Sequence, residues 1–323
     1  DFLLFSTENV NRIYSTVNTV GGDDTINAGD GNNTVVGGRG NDIITSGNGI
    51  DIVAGDNIII TLDNNIPTMM TPADDIAGND VINLGAGGAF VIAGAGDDEV
   101  TNAAGNSVII GDQGTINFAA NGLYANAFTG DVDVVGNDIL IGGSDSDVIF
   151  GGAGSDRIMG SAGNDFLVGD AGMITRDESL VTLESISTSS DEGSVPEAIG
   201  FFTGDNDLLD GGLDNDFMIG GLSMSDGSSI SGIFKDDIKD DIFVGDLSED
   251  IIIGEYARMR LTIDADQKVT GIESIVTLGQ GPLDLIRVAQ QELYTAASLT
   301  TGSLPTVNAD SVLSNSSLAM PTP

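Results

Sequence analysis

Gly37-Gly38-Arg39-Gly40-Asn41-Asp42-Ile43-Ile44-Thr45 decides the fold. Four turn-prone residues lead to an acid, and the acid is followed two positions later by a large aliphatic. Nine residues on, Asp51 and Val53 repeat the acid and the aliphatic. Nine residues back stand Asn33 and Val35, and before them Asp24 and Ile26. The phase restarts at Asp80/Ile82 and continues through Ala89/Val91, Asp98/Val100 and Ser107/Ile109. A third run has Asp138/Leu140, Asp147/Ile149, Asp156/Ile158 and Asp165/Leu167. Shorter runs follow at Asp207/Leu209 and Asp216/Met218, then at Asp241/Phe243 and Asp250/Ile252. Sixteen positions share this register, and Asp fills thirteen of them. A bias in composition does not impose such a period.

The totals point the same way. Gly accounts for 46 of 323 residues, aromatics for 5%, and Trp is absent. Such a chain has too few large side chains for a broad core, but stacked thin layers of aliphatics remain open to it. The net charge is −40, and only 10 of the 50 acidic residues are Glu. Asp favours turns, because its short carboxylate bonds nearby backbone groups. So many carboxylates repel one another unless a cation intervenes. High charge alone would suggest disorder, but 40% hydrophobic residues and a mean hydropathy of +0.13 oppose that.

The charge argues against nucleic acid or anionic membrane surfaces as partners. With neither Cys nor His in the sequence, disulfides, Cys/His zinc sites and Ser-His-Asp or Cys-His catalysis are excluded. No apolar run is long enough for a transmembrane helix. Asp1 does not open a signal peptide, which leads us to expect a cleaved leader, another export route or a fragment of a longer chain.

The repeat fits G-G-x-G-x-D-x-U-x, with U a large aliphatic. On these residues the chain resembles the repeats-in-toxin (RTX) or hemolysin-type nonapeptide calcium-binding family, of the kind found in very large bacterial surface proteins. The resemblance covers about half the chain. It implies an all-β fold, a parallel β-roll (β-solenoid), with calcium held at the repeated Asp.

In such a roll each nonapeptide divides into a Gly-rich turn and a short strand whose middle residue points inward. Two nonapeptides complete a coil, so residues 18 apart stack at the strand spacing of about 4.8 Å. Asp24 then lies over Asp42, Asn33 over Asp51, Asp80 over Asp98, Asp138 over Asp156 and Asp147 over Asp165. Stacked carboxylates and turn carbonyls make all-oxygen cages, which suit Ca²⁺ with its about 6–8 flexible oxygen ligands better than Mg²⁺ with its tight octahedron. The candidate ligands are Asp24, Asp42, Asp51, Asp80, Asp98, Asp138, Asp147, Asp156, Asp165, Asp207, Asp216, Asp241 and Asp250. Ala89 and Ser107 take acid positions, so their edge is expected to hold no calcium, and Asn33 weakens its own. The runs at 207–216 and 241–250 are out of phase with each other, which leaves their pairing open. Ile26, Val35, Ile44, Val53 and their equivalents are core.

A longer period overlies the short one. Runs close on Gly plus an acid at Gly55-Asp56, Gly111-Asp112, Gly169-Asp170 and Gly254-Glu255, at steps of 56, 58 and 85 residues. We therefore divide the chain into a partial spacer (1–19), roll runs at 20–56, 78–112, 136–170 and 204–255, and spacers at 57–77, 113–135 and 171–203. C-terminal strands (256–281), a short helix (282–299) and a flexible tail (300–323) follow. The spacers read as strand–turn–strand, as at Met173–Thr175 with Leu180–Leu183 and at Met259–Ile263 with Val269–Leu278. Phe2–Phe5 reads as a further spacer strand and 185–200 as a mobile loop.

In the third run, seven of the eight residues flanking the inward aliphatics are apolar, Ile139, Phe150 and Phe166 among them. A patch of that kind is expected to be covered, either by the chain's own spacer strands or by a neighbouring subunit. The expected function is a calcium-rigidified structural module of an extracellular or bacterial cell-surface protein, such as a stalk, fibre, adhesin or surface-layer segment. It would bind calcium, have no enzymatic activity, and could self-associate or contact other surface components. Two alternatives stand beside it: a carrier domain that assists type I secretion of a larger enzyme or toxin, which the resemblance implies, and a ligand-binding adhesin module. For ice binding, only Thr25, Thr34 and Thr45 hint at the flat Thr row required.

Overall fold

The computed structural model describes residues 11–14, 21–63, 66–73, 78–130, 136–177, 179–185, 207–220, 242–244, 250–253, 257–264, 269–277 and 285–286. The reading of Phe2–Phe5, the loop at 185–200 apart from Ser185, Asp241 and the tail after 300 lie outside these residues, and Ser185 itself closes the strand Leu180–Ser185. Of the helix expected at 282–299, only Leu285–Ile286 is described. It is a two-residue strand, antiparallel to Ile251–Ile253.

Alternate nonapeptides form two parallel sheets, as a β-roll requires. The first roll sheet has eight strands, from Thr25–Gly29 through Ile43–Ser46, Val81–Asn83, Glu99–Thr101, Ile139–Ser144, Arg157–Ala162 and Leu208–Leu213 to Ile242–Val244. The second runs from Thr34–Val36 through Asp51–Ala54, Ala89–Ile92, Val108–Ile110, Val148–Phe150, Phe166–Val168 and Phe217–Ile219 to Ile251–Ile253, with Leu285–Ile286 at its edge. The register places each inward aliphatic beside its counterpart one coil on. Ile44 pairs with Ile82, Val100 with Leu140, Val53 with Val91 and Leu167 with Met218. These side chains form one narrow core between the two sheets, and most are fully buried.

The spacers do not interrupt this stack. Each leaves the roll between the second and fourth positions of a turn. Gly55-Asp56 precedes one spacer, and Gly78-Asn79-Asp80 resumes the same turn after it. Strand Ile43–Ser46 therefore pairs directly with Val81–Asn83, and Glu99–Thr101 with Ile139–Ser144. The runs at 207–216 and 241–250 stack in the same way, since Leu208–Asp210 pairs in parallel with Ile242–Val244 and Phe217–Ile219 with Ile251–Ile253. The break in sequence phase is absorbed in the connection.

All the spacer hairpins leave from one edge and fold over the outer face of the second roll sheet. They zip into a nine-stranded antiparallel sheet that runs from Arg12–Tyr14 to Val269–Thr277. Its strands include Ile58–Asp63 with Ile66–Pro72, Gly114–Phe118 with Tyr124–Thr129, Gly172–Arg176 with Leu180–Ser185, and Ala257–Ile263 with Val269–Thr277.

A second core forms between this hairpin sheet and the roll, where Phe90, Ile110, Phe150, Val168 and Phe217 meet Ile60, Met70, Ile116, Ile174 and Leu261. Phe90 meets Phe118 edge-on at 4.8 Å between ring centroids. Gly172 opens its hairpin because a Cβ there would lie 2.6 Å from Phe150 Cδ1. Neighbouring hairpins are tied by Arg176, whose guanidinium sits 4.3 Å over the Tyr124 ring, and by the Arg258–Glu184 ion pair at 2.6 Å.

The chain's own spacers therefore cover the apolar face, but they cover only one of the two faces expected to need it. Phe150 is fully buried, whereas Ile139 is 41% exposed. The outer face of the first roll sheet carries Thr25, Glu99 and Arg157 among its apolar residues and stays open to solvent. Phe150→Ala in saturating calcium should cost about 3–5 kcal/mol, as deletion of a buried aromatic does, and should speed proteolysis of the hairpins. Ile139→Ala should stay within about 0.5 kcal/mol. Denaturant unfolding of both variants checks this, and equal losses would contradict the one-sided second core.

Candidate metal centres along the roll edges

Each turn ends on its acid at the sixth position, and that acid has two tasks. Its Oδ1 accepts the backbone N–H of the sixth residue in the preceding coil. On one edge these bonds run Asp24 to Asp42, Asp42 to Asp80, Asp80 to Asp98, Asp98 to Asp138, Asp138 to Asp156 and Asp156 to Asp207, all at 2.7–2.8 Å. The opposite edge runs Asn33 to Asp51, then Ser107 to Asp147, Asp147 to Asp165, Asp165 to Asp216 and Asp216 to Asp250, at 2.7–3.1 Å. The ladder crosses the spacers, so Asp42 and Asp80, which belong to separate runs in sequence, are direct neighbours. Asp250 joins the second ladder, whereas Asp241 lies outside the described residues.

The second oxygen makes these turns candidate metal centres. Oδ2 of Asp42, Asp80, Asp98, Asp138, Asp147, Asp156 and Asp165 is buried with no hydrogen-bond partner. It faces the first position of a turn together with a main-chain carbonyl of the next coil. A Cβ on Gly142 would lie 2.5 Å from Asp147 Oδ2 and 3.0 Å from Gly160 O. A Cβ on Gly151 or Gly160 would meet Asp156 or Asp165 Oδ2 and the carbonyl of Gly169 or Gly211 in the same way. These first positions are Gly because oxygens occupy the space a side chain would fill.

A buried carboxylate oxygen without a partner is costly unless a cation or a proton meets it. Among the described residues no three acidic side chains converge on one point. A metal here would thus draw few carboxylates and many carbonyls, an all-oxygen set that fits Ca²⁺.

Without a cation these carboxyls bind protons more tightly than exposed ones. Burial, reinforced by neighbouring carboxylates, pushes Asp98 and Asp147 up to about 9 and Asp138 up to about 8. Burial raises Asp80, Asp156 and Asp165 to about 7, and Asp42 also lies above the usual carboxylate range. The folded values exceed the unfolded value of about 3.9. The stability these groups give the calcium-free roll is therefore complete below about pH 4 and is lost as pH rises through about 7 to 9. In excess chelator, β-type circular dichroism should grow as pH falls from about 8 to 5. Calcium affinity should run the other way and rise with pH across that window, because the ion displaces protons. A pH-independent signal in chelator would contradict this.

One layer departs from the pattern, and the structure shows how. Where Ala89 and Ser107 replace the acids, Asn102 stands at the first position in place of the glycines found at 142, 160 and 211. Its buried amide nitrogen donates to Gly142 O at 2.6 Å, Ser107 Oγ at 2.9 Å and Gly105 O at 3.1 Å. A neutral donor thus meets the carbonyls that elsewhere face a carboxylate. Asn33 does likewise, donating to Gly31 O at 2.8 Å and Gly29 O at 3.0 Å, so the Asn33/Asp51 layer is also partly closed by an amide. Sequence reasoning passed over Asn102, whose only signal was an amide at the first position of the one nonapeptide with Ser at the sixth. Asn102→Ala should destabilise the calcium-loaded roll by about 1–3 kcal/mol, because buried acceptors lose their donor. It should leave the number of bound calcium ions unchanged, as measured by equilibrium dialysis.

Comparison with known proteins accords with this geometry. The RTX calcium-binding nonapeptide repeat matches in four copies, over residues 19–53, 77–109, 135–172 and 203–222. No curated protein matches the chain. Repeats of this kind bind calcium ions, one reason for the recurring Asp, and the parallel strands fit the roll they build. Over those four segments the chain matches the RTX calcium-binding nonapeptide repeat, the family that its Asp register resembles.

Proposed function

We propose that the chain is a calcium-rigidified structural module of an extracellular or cell-surface protein, a segment of stalk, fibre, adhesin or surface layer, with no catalysis of its own. In this reading the sixth-position aspartates of both ladders supply the carboxylate ligands. Asp138, Asp147, Asp156 and Asp165 lie in consecutive layers and hold their ions most tightly.

The observation that carries the reading is continuity. The acid ladder runs past the inserted hairpins without a break, and those hairpins join into one sheet over the roll. Each layer is thus bonded to the next on three sides, as suits a load-bearing element. The chain folds where calcium is plentiful and stays open where it is scarce, because metal binding free energy is then folding free energy.

In excess chelator at about pH 9, where the buried carboxyls have given up their protons, the chain should lack ordered β signal, and millimolar Ca²⁺ should restore it. Pulled from its two ends in calcium, a single chain should unfold in discrete force-bearing steps that chelator abolishes. Extension in calcium without a force peak would remove the load-bearing role, and a β signal unchanged by chelator would remove the calcium-dependent fold.

A further inference from the structure

The acids that close the roll runs have no place in the nonapeptide pattern. Asp56, Asp112 and Asp170 occupy the second position of the turns that give rise to hairpins, where the intervening plain turns carry Gly38, Gly94 and Gly152. They lie on the edge that bears the Asp42–Asp80–Asp98–Asp138–Asp156 ladder.

Asp112 shows what the position does. It is 3% exposed, although it sits at the foot of the hairpin Gly114–Phe118/Tyr124–Thr129. Its Oδ2 accepts the N–H of Ala153 in the next turn at 2.5 Å, and Asp56 Oδ2 accepts that of Ala95 at 2.8 Å. Gly152 faces Asp112 because a Cβ there would lie 2.8 Å from Asp112 Cβ, and its φ of 118° suits only glycine.

The other oxygen, Asp112 Oδ1, is buried with no hydrogen-bond partner. It points toward the ladder. Asp112 Oδ1 and Asp138 Oδ1 lie 3.0 and 2.9 Å from the single point that a Cβ on Gly136 would take, and Gly96 O borders the same point. Asp138 Oδ2 is likewise buried without a hydrogen-bond partner. Two carboxylates and a turn carbonyl therefore border one small region, beyond what the repeat motif supplies.

We propose that Asp112 is an additional calcium ligand, which shares an ion with Asp138 and the adjoining turn carbonyls and thereby ties the foot of its hairpin to the roll through the metal. The inference rests on the reading of the sixth-position aspartates as calcium ligands. It adds a coupling between the two layers of the molecule, since an ion at this edge fixes the roll and the root of the covering hairpin together. A cap for the Ala153 N–H would require only an acceptor. Asn supplies that as well as Asp does, so the charge and the second buried oxygen are what the metal explains.

The test compares Asp112→Asn with Asp147→Asn in the full chain, by equilibrium dialysis of calcium and by calcium titration of the circular dichroism. Asp112→Asn keeps an acceptor for Ala153 but should lower bound calcium by one ion and raise the calcium needed for half-folding on the order of tenfold, as loss of a metal contact does. A wild-type stoichiometry and midpoint in Asp112→Asn, with Asp147→Asn impaired, would overturn the proposal and leave the wider reading intact. If neither variant changed, the wider reading would fail and the proposal with it. Should Asp112→Asn not fold at any calcium concentration, a crystal structure of the calcium-loaded wild type decides. An ion within about 2.6 Å of an Asp112 oxygen supports the proposal, and an Asp112 bonded only to backbone N–H groups overturns it.

Discussion

The architecture depends on a row of carboxylates buried one above another. Each sixth-position Asp uses one oxygen to hold the N–H of the coil before it, and this fixes the stacking of the turns. The same bond brings the next carboxylate within reach of its neighbour and leaves the second oxygen out of water. The bond that orders the roll thus creates the charge that would break it apart. A cation in the turn would resolve the conflict, because it would meet the orphaned oxygens and cancel the repulsion between layers. The chain cannot relieve the strain internally, with only 10 Lys and Arg against 50 Asp and Glu.

The layer at Ala89 and Ser107 illustrates the alternative. There the acids are gone and Asn102 meets the turn carbonyls with a neutral donor. A roll layer can therefore close without charge. The acids retained elsewhere bring their burial cost with them, a cost that a bound cation would offset.

The hairpins solve a different problem. A two-sheet roll has thin walls, and the second roll sheet is apolar on both faces. Strands of that kind need a covering layer. Insertion between the second and fourth positions of a turn lets a hairpin leave and return without shifting the strand register, as the pairing of Ile44 with Ile82 across the first hairpin shows. Because every hairpin leaves from the same edge, they lie side by side and complete one another's backbone hydrogen bonds. The arrangement has a sidedness that a bare repeat lacks, with one wall doubled and the other facing solvent.

The period of nine, the inward aliphatics and the acid position were readable in the sequence because each repeat specifies its own turn and strand, and identical local choices stack. Ile44, Val53, Asp147 and Asp165 needed only their neighbours to be placed. The covered wall was not readable in that way. Phe150 and Ile139 look alike along the chain, yet one is fully buried and the other exposed, because the hairpins pack on one roll sheet only. The continuity of the ladder through Asp42 and Asp80, the stacking of Asp216 with Asp250, the amide of Asn102 and the inward turn of Asp112 were likewise decided by the tertiary structure. Each depends on contacts between segments 34 to 41 residues apart across a spacer. Local periodicity carries no information about how a spacer returns the chain, and only the closed register of the roll does.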